Sequence, residues 1–338
     1  MDFLKDIIKN SGNQFAGTVD SGLDADVTGF IDTGCYAFNA LVSGSLYGGI
    51  PGNKITALAG ESATGKTYFA LGIVAQFLKN NPKGAVVYFD TEQAVTKEMF
   101  LNRDVDTSKV AVFPVMTIEE FKHQCVNIVD QVLQQEKKNR TPMLIVLDSL
   151  GMLSTEKEMA DTIEGKNVRD MTRAQQIRSA FRVLAVKLGQ AAIPMIMTNH
   201  TYAVVGAYVP TKDMSGGEGL KYSASTIVYL SKKKDKDATG EVVGNIIHCK
   251  TYKSRFTKEN REVDVQLNFE TGLNRYYGLV ELALNAGIFK KVSTRIELPD
   301  GTTAFEKNIN ENPEKYFTKE VMEKLEVAVG KEFKYGTI

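Results

Sequence analysis

The stretch KITALAGESATGKT, Lys54 to Thr67, decides how the rest of this chain is read. Ile55 to Ala59 is a short apolar run that opens on two β-branched residues, the pattern of a buried strand. The eight residues that follow, Gly60, Glu61, Ser62, Ala63, Thr64, Gly65, Lys66 and Thr67, fit the pattern G-x-x-x-x-G-K-[ST] at every position. Tyr68 to Lys79 then carries Phe69, Ala70, Ile73, Val74 and Phe77 at helical spacing. Strand, loop and helix together are the setting that a phosphate-binding loop requires. Gly60 and Gly65 let the backbone curl until successive N–H groups point at phosphate oxygens, and the helix adds its positive dipole end. Lys66 is placed to meet the β and γ phosphates, and Thr67 to offer a hydroxyl to Mg²⁺. These residues imply a site for ATP with Mg²⁺.

Composition bounds the rest. The chain has 338 residues, with 41 Lys+Arg against 41 Asp+Glu, so no global basic field announces nucleic acid and any such site must be a local patch. The apolar content is ample for a core. Cys35, Cys125 and Cys249 are far apart without paired spacing, which favours reduced thiols. His248 and Cys249 read as neighbours on a strand rather than half a metal site. No apolar run approaches membrane-spanning length, and the N-terminus lacks a signal peptide's apolar core. The expectation is a cytoplasmic protein with no membrane partner.

Working outward, strands and helices alternate from Thr33 to Asn268. Ala85 to Asp90, Val110 to Phe113, Met143 to Asp148 and Ile193 to Asn199 are strand-length apolar runs; Ile118 to Gln135 and Asp170 to Gly189 are helical. That order specifies an α/β fold with a mostly parallel twisted sheet and helices on both faces, whose ligands bind at the carboxyl ends of strands. Informative residues stand at those ends. Glu92, in FDTE, is suited to orient a water against a γ phosphate. Asp148 ends MLIVLD as an acid that holds Mg²⁺ directly or through water. His200, after IPMIMTN, can feel the γ phosphate, although taken singly such a histidine is more often structural. Two stretches without a clean period follow, at Ser154 to Asn167 and Thr201 to Tyr222, and long loops of this kind are usually functional or disordered. Arg169, Arg173, Arg178 and Lys212 supply charge beside them, and Gly216 and Gly217 free backbone N–H groups, so DNA phosphates are one reading. A solvated basic face explains the same residues equally well.

The motifs GESATGKT, FDTE, LIVLDS, DMTRA, MTNHTY and SGGEGLKYSAS, in this order, resemble those of the RecA-type recombinases, most closely the phage UvsX group, over roughly Thr33 to Ala286. The resemblance implies a RecA-like P-loop ATPase core over 33–275, preceded by an oligomerisation helix and linker over 1–32 and followed by a small α+β module over 276–338. It implies that Glu92 is catalytic, that His200 senses the γ phosphate, and that 154–168 and 201–220 are the two DNA loops. Lys253 and Arg255 stand where the family carries its K-x-K motif, whose side chains reach ATP bound in the next subunit; a charged strand edge is the plainer alternative. The family's adenine-stacking Tyr, seven residues after the catalytic Glu, is here Met99, which leaves Phe100 beside it, or Met99 itself, to face the base. A DNA-dependent ATPase follows from the resemblance, forming helical filaments on single-stranded DNA and exchanging strands with homologous duplex in recombination, repair and recombination-dependent replication. Single-strand-binding and loader proteins are its expected partners, and the cytoplasm of a host cell its expected place if a phage encodes it. A ring-forming helicase shares this core, but the chain offers no separate N-terminal helical domain for it. A non-catalytic mediator is disfavoured by Glu92 and both loops.

Overall fold

The structure is a computed structural model that describes residues 2–23, 25–27, 29–166, 171–203 and 212–336. Helix α1 (Asp2–Asn10) stands before the core, and Phe3, Leu4 and Ile7 on its apolar stripe are 76%, 57% and 49% exposed. Helix α2 (Tyr36–Ser43), largely buried, connects strands β1 (Phe30–Ile31) and β2 (Ile50–Pro51), which pair antiparallel. Gly49, at φ +126°, makes that pairing possible, because a Cβ there would lie 2.0 Å from the Ile31 carbonyl oxygen.

The core then alternates as its apolar runs require. Strand β3 (Ile55–Gly60) leads to α3 (Lys66–Asn80), β4 (Ala85–Asp90) to α4 (Lys97–Leu101), and β5 (Val110–Pro114) to α5 (Ile118–Leu133). Strand β6 (Met143–Asp148) leads to α6 (Glu156–Ile163) and α7 (Arg173–Ala191), and β7 (Met195–Ala203) to β8 (Lys212–Met214) and α8 (Gly217–Ser223). The long strands β9 (Thr226–Lys236) and β10 (Val242–Ser254) form a hairpin, followed by β11 (Glu262–Asn268) and β12 (Gly272–Leu273). Among the described residues the sheet order is β12-β11-β10-β9-β3-β7-β6-β4-β5, with β8 beside β7. The strands from β9 to β5 run parallel, and β10, β11 and β12 add an antiparallel edge.

Strand periodicity divides the interior in two. Ala57, Ile145, Leu147 and Met197 face Phe121, Val129, Phe181 and Leu184 of α5 and α7. Leu58, Val146, Ile196 and Val228 face the other way, onto Phe69, Ile73 and Val74 of α3 and Phe38 and Leu41 of α2. Cys35 and Cys125 are buried, and burial pushes their thiols up to about 11 and about 12. No helix among the described residues is long and apolar enough to cross a membrane.

Residues beyond 276 continue the same interior. They form α9 (Leu279–Asn285), the antiparallel β13 (Lys290–Val292), β14 (Arg295–Glu297) and β15 (Thr303–Ala304), and α10 (Glu306–Glu311), α11 (Pro313–Tyr316) and α12 (Lys319–Phe333). The turn at Pro299 to Gly301 closes the hairpin of β14 and β15, and the Thr318 hydroxyl caps α12 by accepting the Val321 N–H. One expectation changes. Ser154 to Asn167 is not an unbroken loop, because α6 occupies eight of its residues, with the Thr155 hydroxyl accepting the Glu158 N–H at 3.0 Å. The sequence T-E-K-E, Thr155 to Glu158, is the capping-box pattern that marks this start.

The two ends of the core are clasped together. The Asp32 carboxylate accepts hydrogen bonds from Asn39 (2.8 Å), Gly34 (3.0 Å) and Arg275 (2.5 Å), and the guanidinium stacks 4.0 Å from the centroid of the Tyr36 ring. Burial opposes the Asp32 charge, but the bonds from Asn39 and Arg275 outweigh it and hold its carboxyl below the usual carboxylate range. Stability from this group is therefore complete above the unfolded value of about 4 and is lost as pH falls through the lower folded value. Asp32→Asn should cost about 2 kcal/mol at neutral pH in denaturant unfolding, with the gap to wild type closing in acid. A gap that stays constant from pH 7 to pH 3 would show that the charge is not what matters.

Candidate nucleotide-binding site

The register of the parallel strands assembles the site. Strand β3 lies between β7 and β9, and its last residue, Gly60, stands opposite His200 on one side and Leu230 on the other. Two pairings further along the sheet, Asp90 at the end of β4 stands opposite Asp148 at the end of β6. The strand-end groups thus converge around the loop that leaves β3, as expected for the crevice at the carboxyl edge of such a sheet.

Backbone contacts shape that loop. A Cβ on Gly60 would lie 2.7 Å from the Leu230 carbonyl oxygen, and one on Gly65, at φ +90°, would lie 2.8 Å from Leu267 Cδ2. The Thr64 hydroxyl donates to the Glu61 carbonyl at 2.9 Å, and Lys232 Nζ donates to the carbonyl of Ala63. Lys66 Nζ donates to the carbonyls of Gly60 (3.0 Å) and Glu61 (2.8 Å). An ammonium has three donors, so one remains for the cavity. Burial lowers the Lys66 pKa, and the nearby Asp148 and Glu92 carboxylates act against that shift.

The loop opens on a cavity of about 550 Å³, lined by Ser62, Ala63, Gly65, Lys66 and Thr67 together with Glu92, Asp148 and His200 from neighbouring strand ends. Asp148 is held from both sides: Tyr88 Oη donates to Oδ2 at 2.7 Å, and the Thr198 hydroxyl donates to Oδ1. Burial, followed by the adjacent Asp148 charge, pushes the Tyr88 phenol well above its usual range. Each carboxylate oxygen keeps a second lone pair, so the Thr67 hydroxyl and Asp148 together fit a hard cation and its waters. Glu92 Oε1 accepts the Ser149 hydroxyl at 2.9 Å and lies 3.3 Å from His200 Nε2. Asp90 shapes the turn that presents Glu92, accepting the N–H groups of Glu92, Ala94 and Val95.

His200 leads on to the second loop. Its carbonyl accepts the Ser215 N–H at 3.0 Å, and the adjacent Asn199 side chain donates to the Ser215 carbonyl at 2.6 Å. Gly216, at φ +95°, is the N-cap of α8, and Gly217 is its first residue. Lys212 is on β8, opposite Ala203. Arg169 lies outside the described residues.

Two expectations are corrected by packing. Phe100 is 4% exposed and meets the Tyr88 ring edge-on with centroids 5.8 Å apart, so it belongs to the core and does not line the cavity. Met99 is likewise packed against the core. Arg173 does not hold its charge out for a ligand. Its guanidinium donates to the carbonyls of Leu150, Gly151 and Leu153 and to the Ser215 hydroxyl, stitching the segment after β6 to the second loop. Arg178 is exposed, and its backbone is where α8 touches α7: a Cβ on Gly219 would lie 2.8 Å from Arg178 Cβ. Lys253 and Arg255 are also outside the cavity of their own chain. Lys253 Nζ donates to the carbonyls of Lys221 and Tyr222, and Arg255 Nη2 to that of Tyr222 (3.4 Å), so both cations cap the C-terminus of α8.

The sequence reading missed the wall formed by β9, β10 and β11, from which Lys232, Lys234, Asn245 and Asn268, with Phe269 just beyond, line the cavity. The signal was present, since lysines at alternate strand positions share a face. Its target was hidden because it depends on where the edge strands pair.

A glycine-bearing loop ending an inner strand of a parallel sheet, with acids closing two further strands of that sheet, defines a P-loop nucleotide-binding protein. The family of the RecA N-terminal domain matches residues 3–274, and the chain belongs to the RecA family. It is 32% identical over 253 residues to the recombination and repair protein of Enterobacteria phage T4, covering 75% of this chain and 63% of that protein. It is 27% identical over 250 residues to protein RecA of Streptomyces rimosus (72% and 62%) and 24% identical over 289 residues to protein RecA of Mycoplasmopsis pulmonis (85% and 80%). The chain thus spans a little under two thirds of the first two relatives.

If Arg173 fastens these segments, Arg173→Ala should speed amide hydrogen exchange at 150–153 and 215 about tenfold or more, since several charge-assisted bonds to backbone are lost. Exchange in the Gly60 to Thr67 loop should not change. Equal exchange at both places in wild type and variant would remove this role.

Proposed function

We propose that this chain is an ATP-dependent DNA recombinase, a DNA-dependent ATPase that assembles as a helical filament on single-stranded DNA and pairs it with homologous duplex. The observation that carries the reading is the chain of contacts from Glu92 through His200 to Ser215, which joins the nucleotide cavity to the start of α8. Gly60 to Thr67 would hold the phosphates of ATP, with Thr67 and Asp148 holding Mg²⁺. Bound ATP with Mg²⁺ supplies an energy-yielding phosphoryl transfer to water. Glu92, fixed by Ser149 and His200, is placed to accept the proton of that water.

Lys253 and Arg255 are assigned to the nucleotide of a neighbouring subunit. Their position outside their own cavity supports this, and so does their shared target, which puts both on one side of the chain. The exposed stripe of α1 is the counterpart docking element on the neighbour. The second loop, opened by β7 and closed by α8, and the first, containing α6, would grip the strand by its backbone and leave bases free to test a duplex. Arg178, Lys212, Gly216 and Gly217 remain candidates for that grip, with Arg169; Arg173 acts by positioning. Single-strand-binding and loader proteins would act on the same filament, in the cytoplasm of a host cell if a phage encodes the chain.

Lys66→Ala should lower ATP hydrolysis about a hundredfold or more and abolish strand exchange; retained exchange would overturn the loop's role. Alanine variants of Lys253 and Arg255 should lose DNA-stimulated hydrolysis and recover part of it when mixed with Lys66→Ala subunits, since each variant supplies what the other lacks. No recovery in the mixture would place both side chains in cis. DNA affinity should fall steeply with salt; Arg178→Ala should reduce the slope of log K against log salt by about one, whereas Arg173→Ala should weaken binding at unchanged slope.

A further inference from the structure

With Phe100 turned into the core, the aromatic surface of the cavity is supplied by other residues. Tyr68 follows Thr67 directly on the first turn of α3, is 44% exposed, and lines the cavity. It also lines the adjoining cleft, which holds Arg103. The Arg103 guanidinium lies 4.6 Å from the centroid of the Tyr68 ring and donates to the Met99 carbonyl at 3.0 Å. One face of the phenol ring is thus backed by a tethered cation. Phe269, just beyond β11 and 58% exposed, lines the same cavity, with Leu267 beside it. The cavity is therefore lined both by cations, among them Lys66, and by the exposed rings of Tyr68 and Phe269.

We propose that Tyr68, held from behind by Arg103, is the platform on which the purine base of the bound nucleotide stacks. This rests on the nucleotide-site reading above and adds the residue that recognises the base. An exposed ring at a fixed distance along the helix from the phosphate loop offers a flat apolar surface to any purine, and the guanidinium restrains the ring's rotation. Base stacking on such a ring is insensitive to the phosphates, which bind through backbone N–H groups and Lys66.

That independence provides the test. Binding of Mg–ATP and of Mg–tripolyphosphate, which has no base, would be measured by titration calorimetry for wild type, Tyr68→Phe, Tyr68→Ala and Tyr68→Leu. Tyr68→Ala and Tyr68→Leu should weaken ATP about tenfold and leave tripolyphosphate unchanged, while Tyr68→Phe should bind both as wild type does. Leucine retains bulk without a π face, so its loss separates stacking from packing. Undiminished ATP affinity in Tyr68→Leu and Tyr68→Ala, or a parallel loss of both ligands, would overturn the proposal. Wild type that binds neither ligand would instead overturn the nucleotide site itself, and the platform with it.

Discussion

The ammonium of Lys66 is a buried charge whose hydrogen-bond partners within the chain are carbonyl oxygens. A cation removed from water is costly unless hydrogen bonds and nearby opposite charge compensate for it. Here compensation comes from the end of β3 and from carboxylates delivered by β4 and β6. That requirement explains why β3 lies inside the sheet with parallel neighbours on both sides. The acids reach the loop from its β7 side and Leu230 covers Gly60 from β9 on the other, so at an edge β3 would lose one or the other.

The carboxylates are themselves held by residues distant in sequence. Asp148 depends on Tyr88 from β4 and Thr198 from β7, the strands on either side of its own. Glu92 is oriented by Ser149, whose N–H donates to the Thr91 hydroxyl at 2.8 Å. His200 and Ser215 then carry the same scaffold to α8, with Arg173 fastening the segment after β6 to it. A change in which group Glu92 or His200 contacts must propagate through this connected set of hydrogen bonds, which has few alternative arrangements.

How much of this could be read from the sequence follows from which features are local. The Gly60 to Thr67 loop, the acids at Glu92 and Asp148, and the parallel core are each set by a few adjacent residues, and they were legible. The partners of Asp148 were not, because Tyr88 and Thr198 meet it only once β6 takes its place between β4 and β7. Phe100 was misjudged for a similar reason. On the five-residue α4 its neighbour Met99 is equally apolar, and only the Tyr88 ring beneath decides which side chain turns inward. Arg173 looked like surface charge because nothing in the helix itself shows that carbonyls of Leu150, Gly151 and Leu153 converge at its first turn.

Residues after 276 share their interior with α2 and β11: Leu279, Phe289, Val321, Leu325 and Phe333 belong to the same apolar cluster as Phe38, Leu41 and Val265. Segments joined through a wet, polar contact can swivel on each other, whereas interdigitated side chains cannot slide without opening voids. The C-terminal segment is therefore structurally inseparable from the rest of the core. A cut made at the visually obvious boundary would strip α2 of its cover, and a force applied to α12 would be felt as a rigid displacement of the whole subunit.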